Sequence, residues 1–204
     1  MIAIIDYGMG NVRAFADVYK KLNIYATIVR HVDDLARANK VILPGVGAFD
    51  HAMRKLEQSG MRKLLDEIVL HRHVPVLGIC VGMQMLARSS EEGKLPGLGW
   101  VEGEVKRFHT ISCGQSIRIP HMGWSDMIPK KRSILLSGLD TGARFYYLHS
   151  YYFECHRSED VIAVNDYGGE FTCVVNHENI YGVQFHPEKS HQWGVQLLSN
   201  FAAA

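Results

Sequence analysis

Short apolar runs separated by amphipathic stretches are the feature that most restricts how the first half of this chain can fold. Apolar residues recur at helical spacing over 12–22 and over 50–71, with a break near Ser59 and Gly60. The runs between them contain no polar alternation, which is typical of parallel strands buried on both faces. They are residues 2–5 (IAII), 25–29 (YATIV), 41–43 (VIL) and 74–79 (VPVLGI). The pattern predicts an α/β fold with a central, mostly parallel sheet and helices on both faces.

From about Gly97 the chain changes character, because short strand-like runs replace the strand–helix alternation. These runs are 100–108, 116–120, 133–136, 143–148, 160–165, 171–176 and 180–185. A last helix is predicted over about 191–201. No repeat and no Pro/Gly/Ser-rich linker divides the 204 residues, a length that suits one domain. We therefore expect an antiparallel extension of the same sheet, within a single domain spanning 1–204.

Charge and hydropathy exclude several classes of partner. The 22 basic and 21 acidic residues give a net charge of +1, so electrostatics offers no reason to expect nucleic acid or a membrane surface. No apolar stretch approaches 18 residues, and the first residues (MIAIIDYG) do not resemble a signal peptide. The four cysteines fit no common zinc spacing, so no metal or cofactor is expected. These are Cys80, Cys113, Cys155 and Cys173. A cytoplasmic protein with free thiols is the expectation.

One of these cysteines stands in a motif that favours a nucleophile. Gly78-Ile79-Cys80-Val81-Gly82 follows a predicted buried strand and precedes a helical stretch over 82–88. This G-x-C-x-G segment is the cysteine counterpart of the nucleophile elbow, a sharp strand-to-helix turn that lifts the side chain above the sheet. Ligands bind at that carboxyl edge in open α/β sheets. The alternative is a small buried packing residue, which is how most free cysteines behave.

A thiol nucleophile needs a base, usually a histidine held by a carboxylate. Among 11 histidines, His186 ends an apolar run and is followed by Pro187 and Glu188. Proline biases the preceding residue towards an extended backbone, in which residues two apart point to the same side. His186 and Glu188 are therefore expected to project together, with Glu188 orienting the ring towards Cys80. Alone, the segment could also be a polar loop after a strand.

Acyl transfer also needs donors for a developing oxyanion. The run 41–49 (VILPGVGAF) is a predicted strand that ends in a turn bracketed by Gly45 and Gly47. Such a turn can present backbone N–H groups at the same sheet edge as Cys80, and the amide of Val81 is the natural second donor. Without the cysteine motif, this segment would be interpreted as an ordinary strand-to-helix turn.

Three of these segments together resemble one family. PGVGAF (44–49), GICVGMQML (78–86) and YGVQFHPEKS (181–190) are similar to motifs of the class I, triad-type glutamine amidotransferases. Within that family, three further segments resemble the branch of HisH-type glutaminase subunits of imidazole glycerol phosphate synthases. They are IDYGMGN (5–11), PHMGWSD (120–126) and YYLHSYYF (146–153). The resemblance covers nearly the whole chain and implies a flavodoxin-like fold and hydrolysis of L-glutamine to glutamate and ammonia.

The resemblance also implies roles for individual residues. Cys80 would be the nucleophile that forms a thioester, His186 the acid and base, and Glu188 the orienting carboxylate. The oxyanion site would be formed by the backbone at Gly45, Val46, Gly47 and Val81. Contacts to the substrate glutamine would come from Gln84, Ser150 and Tyr151. No cofactor is implied.

A partner is implied as well. Glutaminases of this branch deliver ammonia to a (β/α)₈-barrel synthase subunit of the HisF type, for imidazole glycerol phosphate and AICAR formation in histidine biosynthesis. Residues that match the contact region are Asn11, His121, Met122, Trp124 and Lys189. The segments 12–22 and 151–155 also resemble a paralogous branch that supplies ammonia for amino-sugar synthesis. The final ammonia acceptor therefore stays open between the two pathways.

Two other classes are weaker alternatives. The first is another elbow-cysteine hydrolase or peptidase on a flavodoxin-like sheet. That class would not explain the presence of Gln84 and the His-Pro-Glu segment. The second is a nucleotide-binding module, suggested by Gly8 and Gly10 after the first strand. Position 13 is Arg where the dinucleotide fingerprint needs a third glycine, and no Walker A segment occurs.

Overall fold

The computed structural model describes residues 1–109, 111–112, 115–139 and 142–204, with side chains outside 110–115 and 140–141. The first half alternates strands and helices as predicted. Its strands are β1 (Ile2–Ile5), β2 (Ala26–Val29), β3 (Lys40–Gly45) and β4 (Val76–Cys80). Its helices are α1 (Val12–Lys21), α2 (Val32–Leu35), α3 (Phe49–Gln58), α4 (Arg62–Asp66, continued by a π-helical turn over Glu67–His71) and α5 (Val81–Gln84).

The second half consists mainly of strands and ends in one helix. The strands are β5 (Ser89–Ser90), β6 (Gly103–Arg107), β7 (Ile111–Ser112), β8 (Gln115–Ser116), β9 (His121–Asp126), β10 (Ile128–Pro129), β11 (Arg144–His149), β12 (Tyr151–Cys155), β13 (Val161–Asp166), β14 (Glu170–His177) and β15 (Ile180–Val183). The final helix is α6 (His191–Ala203), and short 3₁₀ turns lie at Ile134–Leu136, Ser158–Asp160 and Pro187–Lys189.

The central sheet confirms the predicted class. Its parallel part has the order β2-β1-β3-β4-β15, a flavodoxin-like arrangement. Beyond β15 the sheet continues through β14, β12 and β6 in antiparallel pairs, and β13 and β10 extend it from β14. Every residue of β1, β4 and β15 is buried. Since successive side chains point to opposite faces, both faces of the parallel part are covered.

Helix α1 shows how local chemistry and packing combine. Its first turn is capped by Asn11, whose side chain accepts a hydrogen bond from the Ala14 backbone N–H over 3.4 Å. Phe15 and Tyr19 lie on its buried face, and the Tyr19 hydroxyl donates to the Leu198 carbonyl of α6 at 3.2 Å. The first and last helices of the described chain are thereby joined.

Two predicted elements are wrong, and in both cases long-range hydrogen bonds explain the difference. The expected strand 133–136 is a 3₁₀ turn, because Asn200 of α6 donates to the carbonyls of Leu135 and Ser137. The expected helix over 82–88 ends after Gln84. The carbonyls of residues 85–88 accept hydrogen bonds from backbone N–H groups of 97–100 instead of continuing a helix.

The run predicted over 116–120 is likewise displaced. Only Gln115–Ser116 of that region is a strand, and the longer strand β9 begins at His121. Strand β9 pairs with β11 from Asp126↔Arg144 to His121↔His149. We call this two-stranded pair the ribbon. Strand β11 of the ribbon was predicted from the sequence. Strand β9 was not, because it contains Gly, Ser and Asp and has little strand propensity of its own. Pairing with β11 therefore accounts for it.

Candidate active site

Cys80 lies where β4 meets α5, in a backbone conformation that is unusual for a side-chain-bearing residue. Its φ is 55° and its ψ is −114°. Positive φ is uncommon outside glycine and persists only where the surrounding structure imposes it. The side chain is buried but lines a cavity at the carboxyl edge of the parallel strands. This geometry is that of a nucleophile elbow.

The glycines around Cys80 are needed for close backbone approach. A Cβ placed on Gly78 would lie 2.6 Å from the Gly82 carbonyl oxygen, and one on Gly45 would lie 2.8 Å from the Val81 carbonyl carbon. Gly45 ends β3 and pairs in register with Cys80. The turn after β3 and the elbow are consequently packed backbone against backbone, which no larger residue would allow.

His186 and Glu188 are in contact as expected, but Pro187–Lys189 is a 3₁₀ turn and not the extended segment that the sequence suggested. The His186 Nδ1 lies 3.0 Å from Glu188 Oε1, and both side chains are at most 5% exposed. Burial by itself would lower the pKa of His186, but its hydrogen bonds with Cys80 and Glu188 outweigh burial and raise that pKa to about 10. These contacts therefore favour the protonated ring, next to the sulfur that it could serve as an acid.

A cavity of about 360 Å³ opens over Cys80. Gly47, with φ of 79°, reverses the chain at its wall, and the preceding Pro44 carbonyl accepts a hydrogen bond from Tyr7 at 2.7 Å. Gly45 does not line the cavity; it lies behind the wall, at the end of β3. The lining residues are Val46, Gly47, Cys80, Val81, Gln84, Glu92, Pro120, Leu148, His149, Ser150, Tyr151, His186 and Lys189.

The residues expected to contact the substrate lie along one side of this cavity. Gln84 is almost wholly buried, and its Nε2 donates to the Tyr151 carbonyl at 2.9 Å. Ser150 connects β11 to β12, and Tyr151 is the first residue of β12. The Cys80 sulfur lies 4.0 Å from the Leu148 carbonyl oxygen, just before this connection. The structure thus brings Gln84, Ser150 and Tyr151 together around the sulfur.

Three residues of the site were missed by the sequence reasoning. Glu92 lines the cavity while its Oε2 accepts a hydrogen bond from the Phe49 N–H at 2.8 Å. His149 lies under the connection and donates from Nδ1 to the Tyr151 carbonyl at 2.8 Å. Gln184 lies beside Cys80. Only Gln184 had a usable signal, because it lies two positions before His186 in the chain.

The residues assigned to a partner surface divide into two groups. Met122 and Trp124 of the ribbon are 64% and 40% exposed, and Asn11 and Lys189 are also exposed. Trp124 stacks on His191, and the Lys189 ammonium lies 5.6 Å from the Tyr146 ring centroid. These four side chains remain available to a partner.

His121 is a correction to that assignment. Its side chain is only 3% exposed and stacks on Tyr167, with ring centroids 3.9 Å apart. Its Nδ1 lies 3.0 Å from His149 Nε2. Since His149 Nδ1 donates to a carbonyl, Nε2 is the acceptor and His121 is the donor. The side chain therefore faces the interior and cannot form a docking surface.

The remaining cysteines differ from Cys80 in their surroundings. Cys173 is buried, and burial raises the pKa of its thiol to about 12. Cys155 is half-buried, and burial raises its thiol pKa as well. Neither lines the cavity. The packing interpretation of Cys113 concerns a position outside the described residues.

Comparison with known proteins gives a consistent result. Residues 3–204 match the family described as glutamine amidotransferase class-I. The chain is 57% identical over 202 residues to the imidazole glycerol phosphate synthase subunit HisH of Bdellovibrio bacteriovorus, covering 99% of each chain. It is 52% identical over 203 residues to the protein of the same name from Leptospira borgpetersenii, covering 100% of each.

Solved structures show the same fold. A protein from Thermoplasma acidophilum, described as part of a putative GMP synthase, superposes with a TM-score of 0.73 at 23% identity. That comparison covers 99% of this chain and 92% of the other. At this identity the similarity bears on the fold alone.

Proposed function

The chain belongs to the class-I glutamine amidotransferases, in the HisH group, and we propose from that premise that Cys80 is the nucleophile with which it hydrolyses L-glutamine. The observation that carries this proposal is the elbow cysteine at positive φ beside His186, whose Nδ1 is held by Glu188 at 3.0 Å. The catalytic residues are then Cys80, His186 and, as the orienting carboxylate, Glu188.

The reaction proceeds in two halves. The sulfur attacks the side-chain carbonyl carbon of glutamine, and backbone N–H groups of Val46 and Val81 stabilise the oxyanion. His186 gives its proton to the departing amine, so ammonia leaves and a thioester remains. His186 then takes a proton from water, whose oxygen attacks the thioester. The C–S bond then breaks, glutamate leaves, and the Cys80 thiolate remains beside His186, which keeps the proton taken from water.

The cavity has the chemistry to recognise a zwitterionic amino acid. Glu92 supplies a negative charge for the ammonium group, while its other oxygen is occupied by the Phe49 N–H. Gln84, Ser150 and Tyr151 supply neutral polar groups around the carboxamide. Gly47 contributes no side chain to the part of the wall that it forms with Val46. A volume of about 360 Å³ accommodates a ligand of this size.

The ammonia is delivered to a second protein. Ammonia released into water would be protonated, so hydrolysis is useful only beside an acceptor enzyme. The exposed Met122 and Trp124 lie on the ribbon whose other strand leads into the cavity wall, and Asn11 and Lys189 complete this surface. We infer that the partner in a heterodimer is a (β/α)₈ synthase subunit of the HisF type. Relatives over the whole length that carry the HisH name support histidine biosynthesis as the pathway.

The proposal also covers the domain organisation and the cellular location of the protein. Residues 1–204 form one glutamine amidotransferase domain, which the family match over 3–204 supports. The described part of the chain contains no helix long and apolar enough to cross a membrane. We place the protein in the cytoplasm, where its substrate and a soluble synthase are available.

The test measures imidazole glycerol phosphate formation, from glutamine or from ammonium, by the chain combined with a HisF-type synthase. Cys80→Ala should abolish the glutamine-dependent rate and leave the ammonium-dependent rate, which needs no glutaminase. Cys155→Ala is the matched control and should retain both rates. Glutamine-dependent synthesis by Cys80→Ala would contradict the assignment. Glutamine hydrolysis stimulated by an amino-sugar amidotransferase, and not by the HisF-type synthase, would favour the paralogous pathway.

A further inference from the structure

Gln184 is a buried polar side chain next to the sulfur that the hydrolysis described above does not use. It follows β15 and is wholly removed from solvent, and its Nε2 lies 3.8 Å from Cys80 Sγ. Its Oε1 lies 3.1 Å from Gln84 Nε2. Burying an amide costs free energy unless hydrogen bonds replace its water, so both ends of this side chain need partners.

The direction of each hydrogen bond follows from the neighbours. A carbonyl oxygen can only accept, so the Gln84 atom 2.9 Å from the Tyr151 carbonyl is the amide nitrogen. The same nitrogen faces Gln184, whose nearest atom must then be the oxygen. The Gln184 NH₂ group is left facing the sulfur. The chain of contacts runs from Cys80 through Gln184 and Gln84 to the substrate side of the cavity.

The backbone aims two groups at the sulfur from one segment. Gln184 Nε2 lies 3.8 Å from Cys80 Sγ and His186 is hydrogen-bonded to the same sulfur, while Phe185 between them stacks on Phe145 at 3.9 Å. Hydrogen bonds from Gln184 N to the Cys173 carbonyl and from His186 N to the Tyr146 carbonyl, each 2.9 Å, anchor the stretch. The backbone is therefore fixed at both Gln184 and His186.

We propose that Gln184 is a positioning residue that donates a hydrogen bond from Nε2 to the Cys80 thiolate while its Oε1 holds the Gln84 amide against the Tyr151 carbonyl. A hydrogen bond to an anion is stronger than one to a neutral thiol, so this contact favours the reactive form of the sulfur. The proposal rests on the role of Cys80 as nucleophile. In this proposal the Cys80 sulfur has a neutral hydrogen-bond donor, Gln184, in addition to the charged partner His186.

The other titratable groups near the sulfur determine how the contact can be measured. His186 is hydrogen-bonded to Cys80, and Tyr7 is close enough for the sulfur to affect its ionisation. Against the effect of burial, Glu188 raises the pKa of His186, and burial together with the charge of His186 lowers the pKa of His149. None of these side chains is replaced in a Gln184 variant. A change in thiolate formation in such a variant would therefore report the amide contact.

The experiment follows alkylation of Cys80 by iodoacetamide in the full chain between pH 5 and 10, read by mass spectrometry of the peptide that contains Cys80. Gln184→Met keeps the volume and removes the donor. We expect the pH of half-maximal rate to rise by about one unit, a tenfold change in ionisation. Gln184→Glu keeps an acceptor for Gln84 but places a carboxylate oxygen near the sulfur. Its midpoint should rise further.

Gln58→Met, the same change at an exposed residue of α3, is the matched control and should leave the midpoint unchanged. Midpoints equal to wild type in the folded Gln184 variants would overturn the proposal, even if their glutaminase rates fell. If the Met variant does not fold, the nearly isosteric Glu variant tests the same contact. Glutaminase activity that survives Cys80→Ala would instead refute the proposed nucleophile, so the two failures are distinguishable.

Discussion

Glu188 Oε1 lies 3.0 Å from His186 Nδ1, and this buried contact determines which ring nitrogen can serve Cys80. With Nδ1 donating to the carboxylate, Nε2 is the nitrogen that remains for the sulfur. Histidines in catalytic triads are oriented in the same manner. The carboxylate also counteracts the effect of burial on the ring, because it stabilises the imidazolium.

Replacing this carboxylate by an amide should therefore impair catalysis more than folding. Glu188→Gln keeps the shape but can offer Nδ1 a donor, which selects the wrong tautomer. We expect glutaminase turnover in the complex to fall about 10²–10⁴-fold. Turnover is measured as glutamate formed at saturating glutamine. Glu178→Gln alters the exposed pair with His73 and should stay close to wild type. Near-normal turnover by Glu188→Gln would exclude the orienting role.

The elbow should not tolerate a methyl group at Gly78. The added Cβ would lie 2.6 Å from the Gly82 carbonyl oxygen, so the turn that carries Cys80 must shift. We expect Gly78→Ala to lower the free energy of unfolding by about 1–3 kcal/mol. Misplacement of the sulfur should cost about 10²-fold in turnover. Urea denaturation and glutamate assays measure the two effects.

Gly99→Ala is the control that separates the effect of backbone strain from the effect of the steric clash expected at Gly78. Gly99 has φ of 66° with no other atom within 4 Å of the added Cβ. This variant should lose stability through strain alone and keep normal turnover. Equal turnover in the Gly78 and Gly99 variants would argue against the close packing of the elbow.

The buried pair of His121 and His149 should make the fold sensitive to acid. Burial lowers the pKa of His121 to about 4 and, with the nearby histidines, that of His149 to about 3, against 6.5 for the free side chain. Below about pH 6.5 the unfolded chain therefore binds protons at these two histidines that the native state does not bind. Stability contributed by the neutral rings is present above pH 6.5 and is lost as pH falls towards 4. Each ring adds up to about 1.4 kcal/mol per pH unit.

His121→Phe tests the direction of this pH dependence of stability, since a phenylalanine keeps the stacking on Tyr167 and removes one titrating group. Urea unfolding at pH 7, 6 and 5 should show the wild type losing about 1 kcal/mol more than the variant between pH 6 and 5. His51→Phe, at an exposed site on α3, should follow the wild type. Parallel curves for His121→Phe and wild type would mean that His121 titrates normally.

Trp124 should contribute to partner binding without supporting the fold. It is exposed on β9 and stacks on His191 at 5.2 Å. Large aromatic residues often dominate interface energies, so Trp124→Ala should weaken binding of a HisF-type synthase at least about tenfold, with unfolding unchanged. Calorimetric titration measures the affinity. Tyr25→Ala, at another exposed aromatic, should bind normally. Unchanged affinity of Trp124→Ala would place the interface elsewhere.

Local spacing was sufficient to predict the parallel strands, the elbow at Cys80 and the pairing of His186 with Glu188. Each depends on residues close in the chain: a continuous apolar run, glycines two positions from the cysteine, and a histidine and a glutamate two residues apart. The extended backbone predicted for that last pair was wrong, since residues 187–189 form a 3₁₀ turn. Such relations need no knowledge of neighbouring elements. For the same reason, Gln184 could have been found beside His186.

Tertiary structure alone decided the features that depend on which segments meet. Helix α5 ends after Gln84 because the carbonyls of residues 85–88 accept hydrogen bonds from backbone N–H groups of 97–100. Residues 134–136 form a turn because Asn200 of α6 donates hydrogen bonds to the carbonyls of Leu135 and Ser137. Glu92 reaches the cavity from a distant loop, and His121 is turned inward by its hydrogen bond to His149. Chain spacing does not encode these contacts, because they arise when separate elements pack and satisfy each other's buried polar groups.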